Sequence, residues 1–130
     1  MPYPTNLKQI ANLVKTKRAL LLDVRTKKEY CQGHLQGAHL ISTPLPPLTR
    51  RESQMQSESL YYLLKDKKIH SNFPIYIYCK KGIRAKDAKN KLRRLGYKNV
   101  TFLGGVAVEP LNQLFQISSS YGKPWQIEKC

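Results

Sequence analysis

A cysteine followed by positive charge is the feature of this sequence with the clearest chemical meaning. Cys79 ends the apolar stretch "IYIYC", and "KKGIRA" follows, so Lys80, Lys81 and Arg84 all lie within five residues of the thiol. If a strand turns into a helix here, backbone N–H groups and the positive end of the helix dipole face the sulfur. Both effects favour the thiolate, which is the nucleophilic form of cysteine. We therefore predict that Cys79 is a nucleophile rather than an inert core cysteine, because three nearby cations do not suit a core.

The segments on either side of Cys79 have the patterns of a strand and a helix. "PIYIYC" is typical of a buried strand, and "RAKDAKNKLRRLGY" repeats apolar residues at helical spacing before Gly96 ends it. The predicted apolar face consists of Ala85, Ala88, Leu92 and Leu95. Gly82 gives the connecting loop the backbone freedom that a tight turn around one sulfur needs.

The rest of the chain alternates between helical and strand patterns. Helices are predicted in "TNLKQIANLVKTK", "TKKEYCQG", "SQMQSESLYYLLKDKK" and "EPLNQLFQ", and strands in "RALLLDVR", "GAHLIS" and "NVTFLGG". The third of these helices has Met55, Leu60, Leu63 and Leu64 as its expected apolar side, and the proline-rich "STPLPPLTRRESQ" before it is interpreted as a surface loop. Such alternation predicts an α/β fold with a mostly parallel sheet covered on both faces, in which ligands bind at the carboxyl ends of strands.

Length and composition suit one compact domain over residues 1–130, of which 41% are hydrophobic. No apolar run approaches the length of a membrane span, so we expect no membrane partner. The start "MPYPTNLKQIANL" lacks a secretory signal pattern, and we therefore expect a cytoplasmic location.

Three cysteines are present: Cys31, Cys79 and Cys130. An odd number without a C-x-x-C pair argues against a disulfide framework and against a zinc site, so we expect no metal. We interpret Cys130, the last residue, as a spectator thiol. The alternative is that it reaches Cys79 and takes up a group from it.

The formal net charge of +15 favours anionic partners of any kind. Nucleic acid is one such partner, but the sequence has no zinc-finger spacing, no RNP-type aromatic motif and no G-x-x-G loop. Our interpretation is a solvated basic surface, with nucleic acid kept as an alternative that salt-dependent binding would test.

Two long stretches resemble the two signatures of the rhodanese family, in the right order. "LLLDVRTKKEYCQGHLQGAHLIS" is similar to the first signature, and "IYIYCKKGIRAKDAKNKLRRLGYKNVTFLGG" to the second. The resemblance implies a single rhodanese domain with a five-stranded parallel sheet and helices on both faces. It also implies a sulfurtransferase that moves sulfane sulfur from a small anionic donor such as thiosulfate to cyanide, a thiol or a protein. No metal or organic cofactor is implied.

The resemblance also assigns roles by position. Cys79 would carry the persulfide, and Lys80, Lys81, Gly82, Ile83 and Arg84 would form the loop that binds the donor. The two lysines resemble the basic pair of thiosulfate-using members. Arg25 and Glu29 match structural places, interpreted here as an ion pair, and the place of His34 is structural too, so we do not assign it the role of a base.

Other readings of the loop remain alternatives. In the related phosphatases the arginine comes one place later and the loop is wide enough for phosphate, whereas Arg84 comes five places after Cys79. A phosphatase or arsenate reductase is therefore the minor enzymatic alternative. A non-catalytic binding or sulfur-carrier module is the other, although such modules usually lack the cysteine or the cationic loop. The sequence also departs from the family in having no tryptophan just after Gly104-Gly105, and residues 43–57 match no family signature.

Overall fold

The computed structural model describes residues 3–108, 111–116 and 125–130. Its helices are α1 (Tyr3–Lys15), α2 (Lys27–Gln32), α3 (Arg50–Asp66), α4 (Ile83–Arg94) and α5 (Leu111–Gln116). Its strands are β1 (Leu20–Asp23), β2 (His34–Leu35), β3 (His39–Leu40), β4 (Ile75–Cys79), β5 (Val100–Gly105) and β6 (Ile127–Glu128). Each predicted helix and strand has a counterpart at the expected place in the chain.

The strands form one parallel sheet and one small antiparallel pair. The sheet has the order β3-β1-β4-β5, and β2 pairs with β6. The expected α/β fold with a parallel sheet is confirmed, although the sheet has four strands within the described residues rather than the expected five. Leu22 lies beside Ile77 and Asp23 beside Tyr78, so β1 and β4 end at the same edge of the sheet.

Helices cover both faces of the sheet. The side chains of β4 accordingly alternate between two buried clusters, one on each face. Ile75, Ile77 and Cys79 face the cluster that contains Leu60 of α3 and Leu92 of α4. Tyr78 belongs to the opposite cluster, which takes Leu7 and Val14 from α1, Leu111 and Leu114 from α5, and Trp125. Cys79 therefore points to the side of the sheet that α3 and α4 cover.

The inward face of α3 differs from the expected one. Met55 is 55% exposed, whereas Gln56 is 2% exposed and lies in line with Leu60 and Leu64 at a spacing of four residues. Hydrogen bonds compensate the burial of the Gln56 side chain. Its Nε2 donates to the Thr43 hydroxyl at 3.0 Å, and its Oε1 accepts a hydrogen bond from the Lys91 ammonium. The choice of Met55 was wrong because the sequence pattern ranks side chains by hydrophobicity and does not show these partners.

The C-terminal end of α4 shows a second difference. Leu95 is 39% exposed and follows the last helical residue, while Lys91 is buried at 5% exposure. The Lys91 ammonium also donates to Asp87 at 3.0 Å. Ala85, Ala88 and Leu92 are fully buried as expected.

A disulfide joins the end of the chain to α2. Cys31 and Cys130, which are 99 residues apart in sequence, are bonded, and the Cys130 N–H donates to the Cys31 carbonyl at 3.1 Å. The expectation of a spectator thiol at Cys130 and the argument against a disulfide are therefore wrong. Pairing of β6 with β2 brings the two distant cysteines together, which a count of cysteines and their spacing could not show.

Among the residues that the structure describes, no helix combines the length and the apolar character that crossing a lipid bilayer requires. Disulfides persist mainly in oxidising compartments. Because the chain contains the disulfide between Cys31 and Cys130, the structure does not support the expected cytoplasmic location, which stays a prediction.

Candidate active site

Cys79 is the last residue of β4, a strand that lies between two others in the sheet. Its side chain is 1% exposed, and it is the free cysteine of the described residues. Its carbonyl accepts a hydrogen bond from Val106 N–H at 2.8 Å, and its backbone pairs with Gly105 of β5. The neighbouring strand therefore fixes the backbone that presents the sulfur.

The loop after Cys79 turns back toward the thiol. The Gly82 N–H donates a hydrogen bond to the Cys79 sulfur at 2.9 Å, directly before α4 begins at Ile83. Gly82 has a φ of 114°, a left-handed backbone conformation that is strained for any residue with a Cβ atom. Glycine therefore suits this turn. The predicted combination of a strand end, a tight loop and a helix start around one sulfur is present.

A second glycine allows the loop to pack against β5. A Cβ atom on Gly105 would lie 2.1 Å from the Lys80 carbonyl oxygen, which is closer than any side chain can approach. The Ala107 N–H donates to that same oxygen at 3.0 Å. The end of β5 therefore holds the first residue of the loop in place.

The five predicted loop residues differ in exposure. Lys80 and Lys81 are exposed, and Ile83 is 65% exposed. Arg84 is 6% exposed, and its guanidinium donates to the Glu29 carboxylate at 2.7 and 3.2 Å. The two lysine side chains are thus open to solvent, whereas the Arg84 side chain is bonded to Glu29 of α2.

The expected ion pair between Arg25 and Glu29 is wrong, because each residue has another partner. The Nη2 atom of Arg25 lies 2.7 Å from Oδ2 of the buried Asp23 carboxylate. The same nitrogen donates a hydrogen bond to the Gly33 carbonyl at 2.7 Å. Burial by itself would lower the pKa of Arg25, but the hydrogen bond and charge of Asp23 raise it above its usual value. Arg25 therefore pairs with Asp23, two residues before it, and not with Glu29, four residues after it.

The resemblance gave Glu29 a structural place, but it did not identify the contact with Arg84. Glu29 is the third residue of α2 and forms a capping box with Thr26, and the sequence "TKKE" has the spacing of this motif. A capping box was therefore recognisable, but its further bond to Arg84 was not, because 55 residues separate the two.

His34 has structural contacts. Its ring stacks on Tyr30 with centroids 3.7 Å apart, and its Nδ1 lies 2.8 Å from the Tyr30 carbonyl oxygen. Its Nε2 lies 3.8 Å from a carboxylate oxygen of Glu128 in β6. These contacts place His34 between α2 and the C-terminal segment.

A cavity of about 210 Å³ opens beside the loop. Its lining consists of Arg25, Glu29, Gln32, Gly33, Lys80, Val106 and Phe115. A larger cavity of about 680 Å³ lies between α1 and residues 125–128, and no residue of the loop lines it. Of these two cavities, the smaller one is therefore the one next to the loop. No cluster of three metal-binding side chains occurs within the described part of the chain.

The class of protein is defined by this parallel sheet with helices on both faces, in which a cysteine ends a central strand just before a short loop and a helix. The sequence-family model of the rhodanese-like domain matches residues 6–107 of this chain. The chain belongs to the rhodanese-like family.

Three similar proteins illustrate the range of the family. A tRNA uridine(34) hydroxylase of Buchnera aphidicola is 30% identical over 98 residues, which cover 75% of this chain and 28% of that protein. Thiosulfate sulfurtransferase 18 of Arabidopsis thaliana is 29% identical over 106 residues, covering 79% of this chain and 74% of that protein. The structure of a rhodanese with anions from E. coli has a TM-score of 0.52 and 26% identity, covering 70% of this chain and 92% of that one.

The matched hydroxylases are much longer than the matched region. This chain spans little more than a quarter of their length, 28% in the Buchnera protein. The similarity to them is therefore confined to the rhodanese-like part.

Proposed function

We propose that this protein transfers sulfane sulfur through a persulfide on Cys79, with thiosulfate as a donor. The Cys79 thiolate attacks the outer sulfur of thiosulfate, a new S–S bond forms, and sulfite leaves with the electron pair of the broken S–S bond. An acceptor such as cyanide then attacks the outer sulfur of the persulfide. Thiocyanate is released and the Cys79 thiolate is restored, so no net oxidation or reduction of the protein occurs.

The observation that carries this proposal is the hydrogen bond from the Gly82 N–H to the Cys79 sulfur at the start of α4. A backbone donor and the positive end of a helix both stabilise negative charge on sulfur, in the thiolate and in the persulfide. The exposed Lys80 and Lys81 add positive charge where the sulfonate end of thiosulfate would approach. The cavity beside the loop is lined by Lys80 and by Glu29, so a small ligand in it would lie next to the residue that follows Cys79.

Intact-mass measurement tests the proposal directly. Incubation with thiosulfate should add one sulfur atom to the protein, and subsequent cyanide should remove it. The adduct should be absent in Cys79→Ala. An adduct that persists in Cys79→Ala would show that another residue accepts the sulfur, and no adduct on the wild-type protein would remove the proposed activity.

The position of Arg84 speaks against the phosphatase and arsenate reductase alternatives. An arginine that binds a phosphate in such a loop must present its guanidinium to the ligand, whereas Arg84 is buried and paired with Glu29. Hydrolysis of p-nitrophenyl phosphate that depends on Cys79 would restore those alternatives. The mass experiment separates the non-catalytic binding module, because such a module forms no persulfide.

RNA is a second candidate partner, as the acceptor of the sulfur. The outward face of α4 leads away from the loop and carries the exposed cations Lys86, Arg93 and Arg94, while the nearby carboxylate of Asp87 is paired with Lys91. Several relatives are named as tRNA uridine(34) hydroxylases, which act on RNA. A polyanion that binds along this face would reach Cys79 at its end.

The salt dependence of RNA binding tests this candidate. Replacing Lys86, Arg93 and Arg94 by alanine should reduce the slope of log K against log salt by about 2. The control replaces three exposed lysines at the other side of the sheet, Lys8, Lys15 and Lys17, and should change the slope less. Equal changes in both triple variants would leave a general basic surface and no RNA site.

A further inference from the structure

The first turns of two helices that are distant in sequence are joined beside Cys79. Glu29 of α2 accepts two hydrogen bonds from the Arg84 guanidinium of α4, at 2.7 and 3.2 Å. The side chain of Arg84 is 5% exposed and that of Glu29 is 20% exposed. A bidentate pair with little exposure restrains both helices more than a surface ion pair does.

Glu29 is itself held in one orientation. The backbone N–H and the hydroxyl of Thr26 donate to its Oε1 at 2.9 and 3.0 Å, and the Thr26 hydroxyl accepts from the Glu29 N–H at 3.2 Å. Burial alone would raise the pKa of Glu29, but the bonds from Arg84 and Thr26 outweigh burial and lower the pKa to about 2. The carboxylate is therefore charged at neutral pH.

The other end of this connection is fixed to the strand that carries Cys79. The Val24 N–H, two residues before Thr26, donates to the Tyr78 carbonyl at 3.1 Å. The contacts thus form a closed path that leaves the end of β4, passes through α2 and returns through α4 to the sulfur. In order, its members are Tyr78, Val24, Thr26, Glu29, Arg84, Gly82 and Cys79.

We propose that Glu29 is a positioning residue for Cys79, which acts through Arg84 to hold the first turn of α4, and with it the Gly82 N–H, against the sulfur. The inference rests on the proposed role of Cys79 as the nucleophile. It assigns Arg84 a role in building the loop, where the sequence predicted contact with the donor. Without Glu29 the buried guanidinium loses its partner and the turn that carries Gly82 is released.

The chain contains a matched control for Glu29. Glu52 occupies the same third position of a capping box at the start of α3, with Thr49 as the capping residue. Its carboxylate accepts from the Thr49 N–H at 2.9 Å, and its own N–H donates to the Thr49 hydroxyl at 3.1 Å. Glu29→Gln and Glu52→Gln therefore remove the same charge from the same motif, but Glu29 bonds to Arg84 whereas Glu52 bonds to Thr49.

Alkylation by iodoacetamide, followed over pH, distinguishes positioning from a simple charge effect, with Cys31 and Cys130 kept in their disulfide. Removing a negative charge near a thiol makes the thiolate easier to form, so a pure charge effect moves the alkylation midpoint to lower pH. Loss of the Gly82 hydrogen bond has the opposite sign. For Glu29→Gln we expect the midpoint to move up by about one unit and sulfur uptake from thiosulfate to slow about tenfold, as expected for one hydrogen bond to a charged group.

Glu52→Gln should leave both measurements at their wild-type values. A midpoint for Glu29→Gln that is unchanged or lower would overturn the proposal. If Glu29→Gln does not fold, Arg84→Lys replaces the test, because lysine keeps the charge but loses the bidentate geometry and should move the midpoint in the same direction. An unchanged midpoint in Arg84→Lys would likewise overturn it.

A double-mutant cycle tests the route through Arg84. If Glu29 acts through Arg84, then Glu29→Gln combined with Arg84→Lys should react no more slowly than the slower single variant. Rate losses that multiply would show that the two residues act independently. Alkylation needs no sulfur donor, so this test stands even if the wild-type protein takes up no sulfur from thiosulfate.

Discussion

The surroundings of Cys79 and those of the Cys31–Cys130 pair show two different uses of the same side chain. Cys79 lies at the end of a central strand, buried and free, with a backbone N–H on its sulfur. Cys31 lies in a six-residue helix, and Cys130 at the end of the chain, and a disulfide joins them. Backbone setting rather than residue type therefore separates the sulfur that we propose as the nucleophile from the sulfurs that cross-link the fold.

The two regions meet in α2. Cys31 lies two residues after Glu29, so the helix that the disulfide attaches to the C-terminal segment also supplies the partner of Arg84. Thr26 and Arg84 hold Glu29 independently of the disulfide. We therefore expect chemistry and cross-linking to be separable by mutation.

Replacing Cys79 by alanine should have the largest effect on turnover. We expect thiosulfate:cyanide transfer to fall by about 10³-fold or more, because the proposed nucleophile is lost. The melting temperature should change by about 5 °C or less, since the substitution removes one atom from the core. Steady-state assay and thermal melting check the two expectations, and residual turnover near the wild-type level would assign the chemistry elsewhere.

Neutralising the loop lysines should have the next largest effect. Lys80→Ala combined with Lys81→Ala should lower kcat/KM for thiosulfate about five- to thirtyfold, since each exposed charge contributes about 0.5–1 kcal/mol to binding an anion. The loss should appear in sulfur uptake, while single-turnover release of sulfur to cyanide should change much less. The control replaces Lys8 and Lys129, and losses of equal size in the two variants would reduce the loop lysines to general surface charge.

Removing the disulfide should change stability and leave turnover near the wild-type level. In Cys31→Ser, Cys130→Ser the free energy of unfolding should fall by about 2–4 kcal/mol, because the cross-link closes a long loop of the unfolded chain. Urea unfolding measures this loss. A large fall in turnover at a temperature where the variant is folded would make the C-terminal segment part of the active site.

The smallest expected effect concerns the acid stability that Glu29 provides. Its pKa is lowered from 4.5 to about 2 in the folded protein, so its stabilising contribution is present above pH 4.5 and is lost as the pH falls toward 2. The difference in unfolding free energy between wild type and Glu29→Gln should therefore shrink over that pH range. Urea unfolding at several pH values measures it, and a difference that is constant with pH would exclude this charge as the cause.

Much of the site could be predicted from the sequence. The strand ending at Cys79, the turn at Gly82 and the helix after it follow from local patterns, namely apolar periodicity and a glycine where the chain must turn. The capping boxes at Thr26 and Thr49 are equally local, since each forms within four consecutive residues. These features depend on neighbours along the chain, and the amino-acid order therefore determines them.

Other features were decided by the tertiary structure. The partner of Arg84 is Glu29, 55 residues away, and the partner of Cys31 is Cys130, 99 residues away. Gln56 is buried in place of Met55 because Thr43 and Lys91 meet its amide there. Pairs of this kind form when packing of the sheet and its helices brings distant side chains within bonding distance, and the spacing of residues along the chain does not contain that information.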